Sequence, residues 1–190
     1  PAVAGDKAFN WQQEFPAVFE RAGFDVVIGN PPYVKLETIR EASVALEKCN
    51  YLTFDKRGDL YVLFVEKGFQ ISRANGFVSY IMPNKWLQAG YGEKLRTYFL
   101  TRELNQLIDF GDIQIFEGAT TYPVIFVARN NTPNSTFEAA FLKKEFMHDF
   151  KFNVQVNNQT FITEKFNGNT WVISDGANNK LLERLNNQFR

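Results

Sequence analysis

"GFDVVIGNPPYVKL", residues 23–36, carries the reading from which the fold follows. The run FDVVI (24–28) is short and largely apolar, the pattern of a strand buried on both faces of a parallel sheet. It stops abruptly in Gly29, Asn30, Pro31, Pro32 and Tyr33. In open α/β sheets ligands bind beyond the carboxyl ends of the strands, which makes these residues the first candidates for a site. Each proline fixes its own φ and restrains the residue before it, so Asn30, Pro31 and Pro32 form one stiff unit. Neither proline has an N–H to donate. The loop therefore offers acceptors, namely the Asn30 side-chain oxygen and the proline carbonyls, beside the flat face of Tyr33. The plainer reading is a rigid turn that closes a strand, since Asn and Pro are common turn residues.

Working outward, RGDLYVLFVEKGFQISRANG (57–76) places Leu60, Leu63, Phe64 and Ile71 at helical spacing, with Asp59 near the start and Gly76 just past the end. GFVSYIMP (76–83) reads as the next buried strand and GEKLRTYFLTRE (92–103) as a second helix. A third strand is expected near 104–110 and a fourth in YPVIFVAR (122–129), joined by too short a link for a helix and so antiparallel to each other. Strand, helix, strand, helix, strand indicates an α/β layer fold with parallel strands and a terminal antiparallel pair. From residue 131 the character changes. That segment holds eleven asparagines, seven basic and six acidic residues, alternating runs such as FKFNVQV and TFITEKF, and a helical pattern near 176–189. The expected organisation is one domain over 1–130 and the start of a second, partly β module over 131–190, the alternative being a decorated extension of the first.

Composition narrows the chemistry. With 45% hydrophobic residues in 190, the chain is long enough for a core of its own. Lys plus Arg equals Asp plus Glu at 21 each, so no global positive field draws in nucleic acid and such binding needs a local patch. Cys49 and His148 are the only residues of their kinds. That excludes internal disulfides and cysteine-rich zinc sites, leaves next to no room for a histidine-based metal site or a Ser-His-Asp triad, and suits a reducing cytoplasm. Cys49, in ALEKCNY, is expected inside a helix as a small buried hydrophobe. No apolar stretch is long enough to span a bilayer, no signal peptide is visible and no PD…ExK carboxylate pattern for a nuclease metal is present. Lys35 and Lys85 follow strand ends and are candidates to touch phosphates.

Two converging neutral acceptors suit a planar NH2 group, and a tyrosine ring suits the heterocycle that carries it. The exocyclic amine of a base meets both. Accepting both N–H bonds favours a more pyramidal nitrogen whose lone pair is free to meet an electrophilic methyl group, without a strong general base. Here the sequence resembles a family. FDVVIGNPPYVKLE resembles the catalytic motif of DNA methyltransferases that form N6-methyladenine. GDLYVLFVEKG, GFVSYIMPNKWL and IDFGDIQIFEGATTYPVIFVAR follow in the order seen in restriction-modification methylases of the Eco57I and TaqI type. The likeness covers residues 10–130.

The resemblance implies that Asn30 and the Pro31 carbonyl accept from adenine N6, that Pro32 stiffens the loop, that Tyr33 stacks on a base flipped out of double-stranded DNA, and that Phe116 closes its other face. It implies S-adenosylmethionine as cofactor, bound in such enzymes by a glycine-rich loop and an acidic residue that precede the NPPY motif. Neither is found in the 23 residues ahead of FDVVI. The fold implied is thus a partial Rossmann-like methyltransferase sheet without its donor-binding strands, inactive as isolated, with an open strand edge prone to self-association. Related motifs also occur in enzymes that methylate protein glutamine or RNA, and a scaffold that merely inherited the fold is a further alternative. The segment after 131 favours DNA among these.

Overall fold

The computed structural model describes residues 9–116 and 121–173. Two short helices, α1 (Trp11–Glu14) and α2 (Pro16–Phe19), precede strand β1 (Phe24–Gly29), and α3 (Arg40–Glu47) leads to the long helix α4 (Tyr61–Ile71). Then come β2 (Ser72–Pro83), α5 (Glu93–Phe99), β3 (Glu103–Asp109), β4 (Pro123–Arg129), β5 (Thr136–Phe141), α6 (Phe150–Asn157) and β6 (Asn158–Ile162). The six strands form one sheet in the order β1-β2-β4-β3-β5-β6. β1 runs parallel to β2 and β3 parallel to β5, while β4 lies antiparallel to both β2 and β3. The expected antiparallel pair is present. It stands in the middle of the sheet rather than at its end, because β4 wedges between β2 and β3 and two further strands follow.

One face of the sheet carries the main core. Val78, Tyr80 and Met82 of β2 and Val124, Phe126 and Ala128 of β4 alternate toward it, and it also takes Leu104 and Leu107 of β3, Tyr61, Val65 and Phe69 of α4, and Leu95 and Phe99 of α5. The period of two in the strands and the near-continuous apolar character of α4 are what such a half-sheet and its covering helix require. Glu66 is buried within α4 and is satisfied there, accepting the Thr53 backbone N–H at 2.9 Å and the Thr53 hydroxyl at 3.0 Å. A smaller cluster of Ile108, Phe110, Ile113, Ala140 and Leu142 fills the opposite face.

Several expectations need correction. β1 is not buried on both faces: it is the outermost strand, and Val26 and Ile28 are 55% and 77% exposed. Helix α4 ends at Ile71, and Gly76 lies inside β2. The SRANG segment is a bulge, for the pairing with β1 jumps from Phe24↔Ser72 to Val26↔Phe77, with Asn75 at φ 62°. Gly76 is required there, since a Cβ would sit 2.8 Å from the Phe24 carbonyl oxygen. Phe64, assigned to the apolar face of the helix, is 39% exposed. Cys49 follows the end of α3 and is exposed.

FKFNVQV forms helix α6 rather than a strand. Its local cause is the Asp149 carboxylate, which accepts the Phe152 N–H at 3.0 Å, together with buried Asn153, whose amide donates to the Lys143 carbonyl at 2.7 Å while its oxygen accepts the Lys143 N–H at 3.0 Å. Around the expected boundary at residue 131 the sheet is continuous. β5 pairs with β3, β6 pairs with β5, and Phe137, Ala139, Trp171 and Ile173 enter the same core as α4 and α5. Trp171 is fastened by its N–H to the Leu87 carbonyl at 2.8 Å and stacks edge-on to Trp86 at 5.8 Å. The helical pattern read at 176–189 lies outside the described residues. Among the described residues no helix is long and apolar enough to cross a membrane, and no cluster of carboxylate, Cys or His side chains suits a metal ion.

Candidate functional site

The carboxyl ends of β1, β2 and β3 and the start of β4 meet at one edge of the sheet, because β4 runs opposite to its neighbours. The NPPY loop leaves β1 at this edge. Asn30 is exposed and its side chain makes no hydrogen bond among the described residues, Pro31 is buried, Pro32 is exposed and Tyr33 is half-buried. The Tyr33 ring meets Tyr61 edge-on at 6.4 Å, and its hydroxyl donates to the Ile81 carbonyl at a long 3.5 Å. Beyond Tyr33 the chain is pinned to the start of α4. The Leu60 N–H donates to the Val34 carbonyl at 2.7 Å, the Leu36 N–H donates to the Gly58 carbonyl at 3.0 Å, and Leu36 is fully buried. A stiff dipeptide anchored on both sides thus presents Asn30 outward and Tyr33 sideways.

Tyr33 faces a cavity of about 290 Å³ shared with Lys35, Arg57, Lys85, Tyr91 and Tyr122. Asp59 and Pro83 also line it. At its inner side the Tyr61 and Tyr91 hydroxyls hydrogen-bond each other at 2.9 Å. Burial, reinforced by each other and by Asp59, raises the Tyr61 phenol far above its usual range. Burial also pushes Tyr91 up to about 12. Both are therefore neutral hydroxyls in ordinary buffers and contribute hydrogen-bonding groups, not phenolate charge.

The mouth of the cavity is braced by Asn84. Its backbone N–H donates to the Tyr122 carbonyl at 2.8 Å, and its side-chain amide donates to the Asp109 carboxylate at 2.9 Å and to the Gly111 carbonyl at 3.3 Å. Asp109 also accepts the Gly111 N–H at 3.0 Å. One residue thereby ties the end of β2 to the end of β3 and the entrance of β4. Burial raises the Asp109 carboxyl above the usual aspartate value, against the pull of these two hydrogen bonds.

Of the residues singled out in the sequence, the structure brings Tyr33, Lys35 and Lys85 to the cavity. Phe116 stands on the same connection between β3 and β4, half-buried, with its carbonyl accepting from the Gln114 amide at 3.4 Å, but does not line the cavity. Tyr122 does, and the sequence reading missed it along with Arg57 and Tyr91. Antiparallel pairing of β4 held the signal for Tyr122: the residue that enters an antiparallel strand lies beside the residue that leaves its neighbour, and Pro123 pairs with Pro83. The described residues do not form a cradle for S-adenosylmethionine. Among the described residues no strand precedes β1, and none pairs with its outer side.

The sequence pattern of the Eco57I restriction-modification methylases matches residues 1–116. The type II restriction enzyme and methyltransferase RM.Eco57I of Escherichia coli is 32% identical over 164 residues, 83% of this chain and 16% of that protein. The type II methyltransferase M.BstVI of Geobacillus stearothermophilus is 28% identical over 196 residues, 94% of this chain and 34% of that protein. The chain therefore spans a sixth to a third of the length of these relatives. Among solved structures, the ATP-dependent type ISP restriction-modification enzyme LlaBIII bound to DNA superposes with a TM-score of 0.60 at 13% identity, covering 90% of this chain and 14% of the other. That likeness concerns the fold alone, and its breadth matches a sheet that continues past residue 131. With its NPPY loop at the carboxyl edge of a mixed sheet and its sequence pattern matched over more than half its length, the chain belongs to the Eco57I restriction-modification methylase family.

Proposed function

We propose that this chain supplies the base-accepting half of a DNA methyltransferase that modifies N6 of an adenine flipped out of double-stranded DNA, within a restriction-modification or phage-defence enzyme. One observation carries the reading. Asn30 stands exposed at the end of a strand, its amide without a hydrogen-bond partner among the described residues, and the rigid prolines behind it lead straight to a tyrosine that lines a cavity with room for a base. The family supports methylation, and M.BstVI, named only as a methyltransferase, matches nearly the whole chain, which favours that activity over cleavage for the shared piece. S-adenosylmethionine supplies the electrophilic methyl group. The chain's own residues hold the acceptor: Asn30 Oδ1 and the Pro31 carbonyl take the two amine hydrogens, Tyr33 offers a stacking face, and Phe116, which stands outside the cavity on the β3–β4 connection, is the residue proposed to cover the other face of the base. The segment from 131 is proposed to lead toward target recognition, and the open edge of β1 toward self-association.

The test is methyl transfer from labelled S-adenosylmethionine by the protein at its full natural length, with adenine-containing duplexes, RNA and a glutamine peptide as parallel acceptors. Label is expected on duplex adenine. Asn30→Ala should lower the rate about 10²-fold or more, the scale of removing one preorganised polar group from a transition state, with thermal stability unchanged. Label on RNA or peptide, or an Asn30→Ala enzyme of undiminished rate, sinks the reading.

A further inference from the structure

The chain has no net formal charge, yet three of the four formally charged residues around the Tyr33 cavity are cations. Lys35, Arg57 and Lys85 are exposed, while Asp59 is half-buried beside the Tyr61 and Tyr91 hydroxyls, whose phenols its charge helps to raise. Lys35 and Lys85 form no ion pair among the described residues, and Arg57 meets Asp55 only at 3.7 Å. Their backbones are fixed. Lys35 is bridged to Asp59 across the NPPY arm, the turn carrying Arg57 is closed by the Gly58 N–H donating to the Asp55 carbonyl at 2.9 Å, and Lys85 follows the triply bonded Asn84. A cavity of about 290 Å³ has room for a base. The three cations are exposed where it opens to solvent, the side on which the sugar phosphate of an entering base would lie.

We infer that Lys35, Arg57 and Lys85 form a phosphate subsite that grips the phosphodiester of the nucleotide whose base enters beside Tyr33. This rests on the reading of the cavity as a base pocket and deepens it. Half-buried Tyr33, Tyr91 and Asp59 face the base, and the exposed cations face the backbone, so one nucleotide is read at both ends. Such a clamp stabilises the extruded nucleotide relative to the stacked one, because the backbone of an extruded nucleotide is carried toward the pocket rim.

Titration calorimetry on the 190-residue chain, with 2′-deoxyadenosine, its 5′-monophosphate and 2-deoxyribose 5-phosphate as probes, tests this. The monophosphate is expected to bind about tenfold tighter than the nucleoside at low salt, through charge-assisted contacts. Added salt should shrink that ratio. Lys35→Ala, Arg57→Ala and Lys85→Ala should each cut the ratio severalfold. Equal affinities for nucleoside and monophosphate, or a ratio that survives all three substitutions together, overturn the subsite and leave the base pocket standing. Binding of the sugar phosphate without binding of the nucleoside has the opposite meaning: the subsite stands and the base reading fails. If none of the three probes binds, both fall.

Discussion

Asp109 shows how a single carboxyl sets both geometry and pH response at this site. It is 6% exposed and accepts hydrogen bonds from the Asn84 amide and the Gly111 N–H, so it fixes the two loops that frame the cavity mouth. Burial outweighs those bonds and raises its pKa above 3.8. A carboxyl whose folded pKa exceeds its unfolded value resists ionisation in the folded state. Its stabilising contribution is complete below the unfolded pKa and is lost as pH rises through the raised one. Asp109→Asn keeps an acceptor oxygen for both donors and removes the titration. The melting temperature of the variant relative to the native chain is therefore expected to climb as pH rises from below 3.8, then to level off above the raised pKa. A difference that stays flat with pH would show that Asp109 ionises in the fold as freely as in the unfolded chain. The polarity of the cavity has the same origin: Tyr61 and Tyr91 are held neutral by burial, so the charge near Tyr33 comes from Asp59 and from the three exposed cations.

Helix α4 and strand β2 form the contact on which the site is mounted, and Gly68 is its closest point. A Cβ at Gly68 would lie 2.7 Å from the Tyr80 hydroxyl oxygen and 2.9 Å from a Val78 methyl. Alanine gains about 1 kcal/mol in helix propensity over glycine. Overpacking a closed core costs about 1–3 kcal/mol, and Val78, branched at Cβ and fully buried, has no room to yield. The clash is expected to win, with Gly68→Ala lowering stability by about 1–2 kcal/mol in urea denaturation. An unchanged or raised midpoint would show that helix and strand separate freely. This contact is not legible before folding, because a lone glycine in a helical pattern reads as a mild defect, whereas the sequence carries clearer signals elsewhere. It did show α4, β3, β4 and their antiparallel pairing, since each has a strong period or an obligatory short link. Elements set by one tertiary bond were illegible: α6 depends on the Asp149 cap and on buried Asn153, and β2 begins four residues early through a bulge with Asn75 in a left-handed conformation. Tyr33 was found because two prolines are a local signal. Arg57, Tyr91 and Tyr122 were not, because only the folded sheet brings them beside Tyr33.

Across the whole molecule the sheet is asymmetric, and the asymmetry dictates its behaviour in solution. At one end β6 closes the row. At the other, the site-bearing strand β1 is the edge, paired only with β2 among the described residues. The N-terminal helices shield its beginning, where Trp11, Phe15 and Phe19 surround Phe24 at ring distances of 5.9, 5.5 and 6.0 Å. They leave Val26 and Ile28 exposed. An edge that combines unpaired backbone groups with branched apolar side chains favours the addition of another strand, and β1 of a second copy is one that a pure sample supplies. Full burial of one such side chain contributes about 1.5–3 kcal/mol, so two copies pairing through Ile28 gain enough for weak dimerisation against the cost of lost rotational freedom. Sedimentation velocity should show a concentration-dependent monomer–dimer equilibrium for the 190-residue chain. Ile28→Lys places a charge on each copy at the seam and should return the chain to a monomer, while Val44→Lys, at another exposed apolar position, on α3, should not. A chain that sediments as a monomer at every concentration would show that the ends of β1 are too well solvated to pair, and association would then have to be sought away from the strand that carries Asn30.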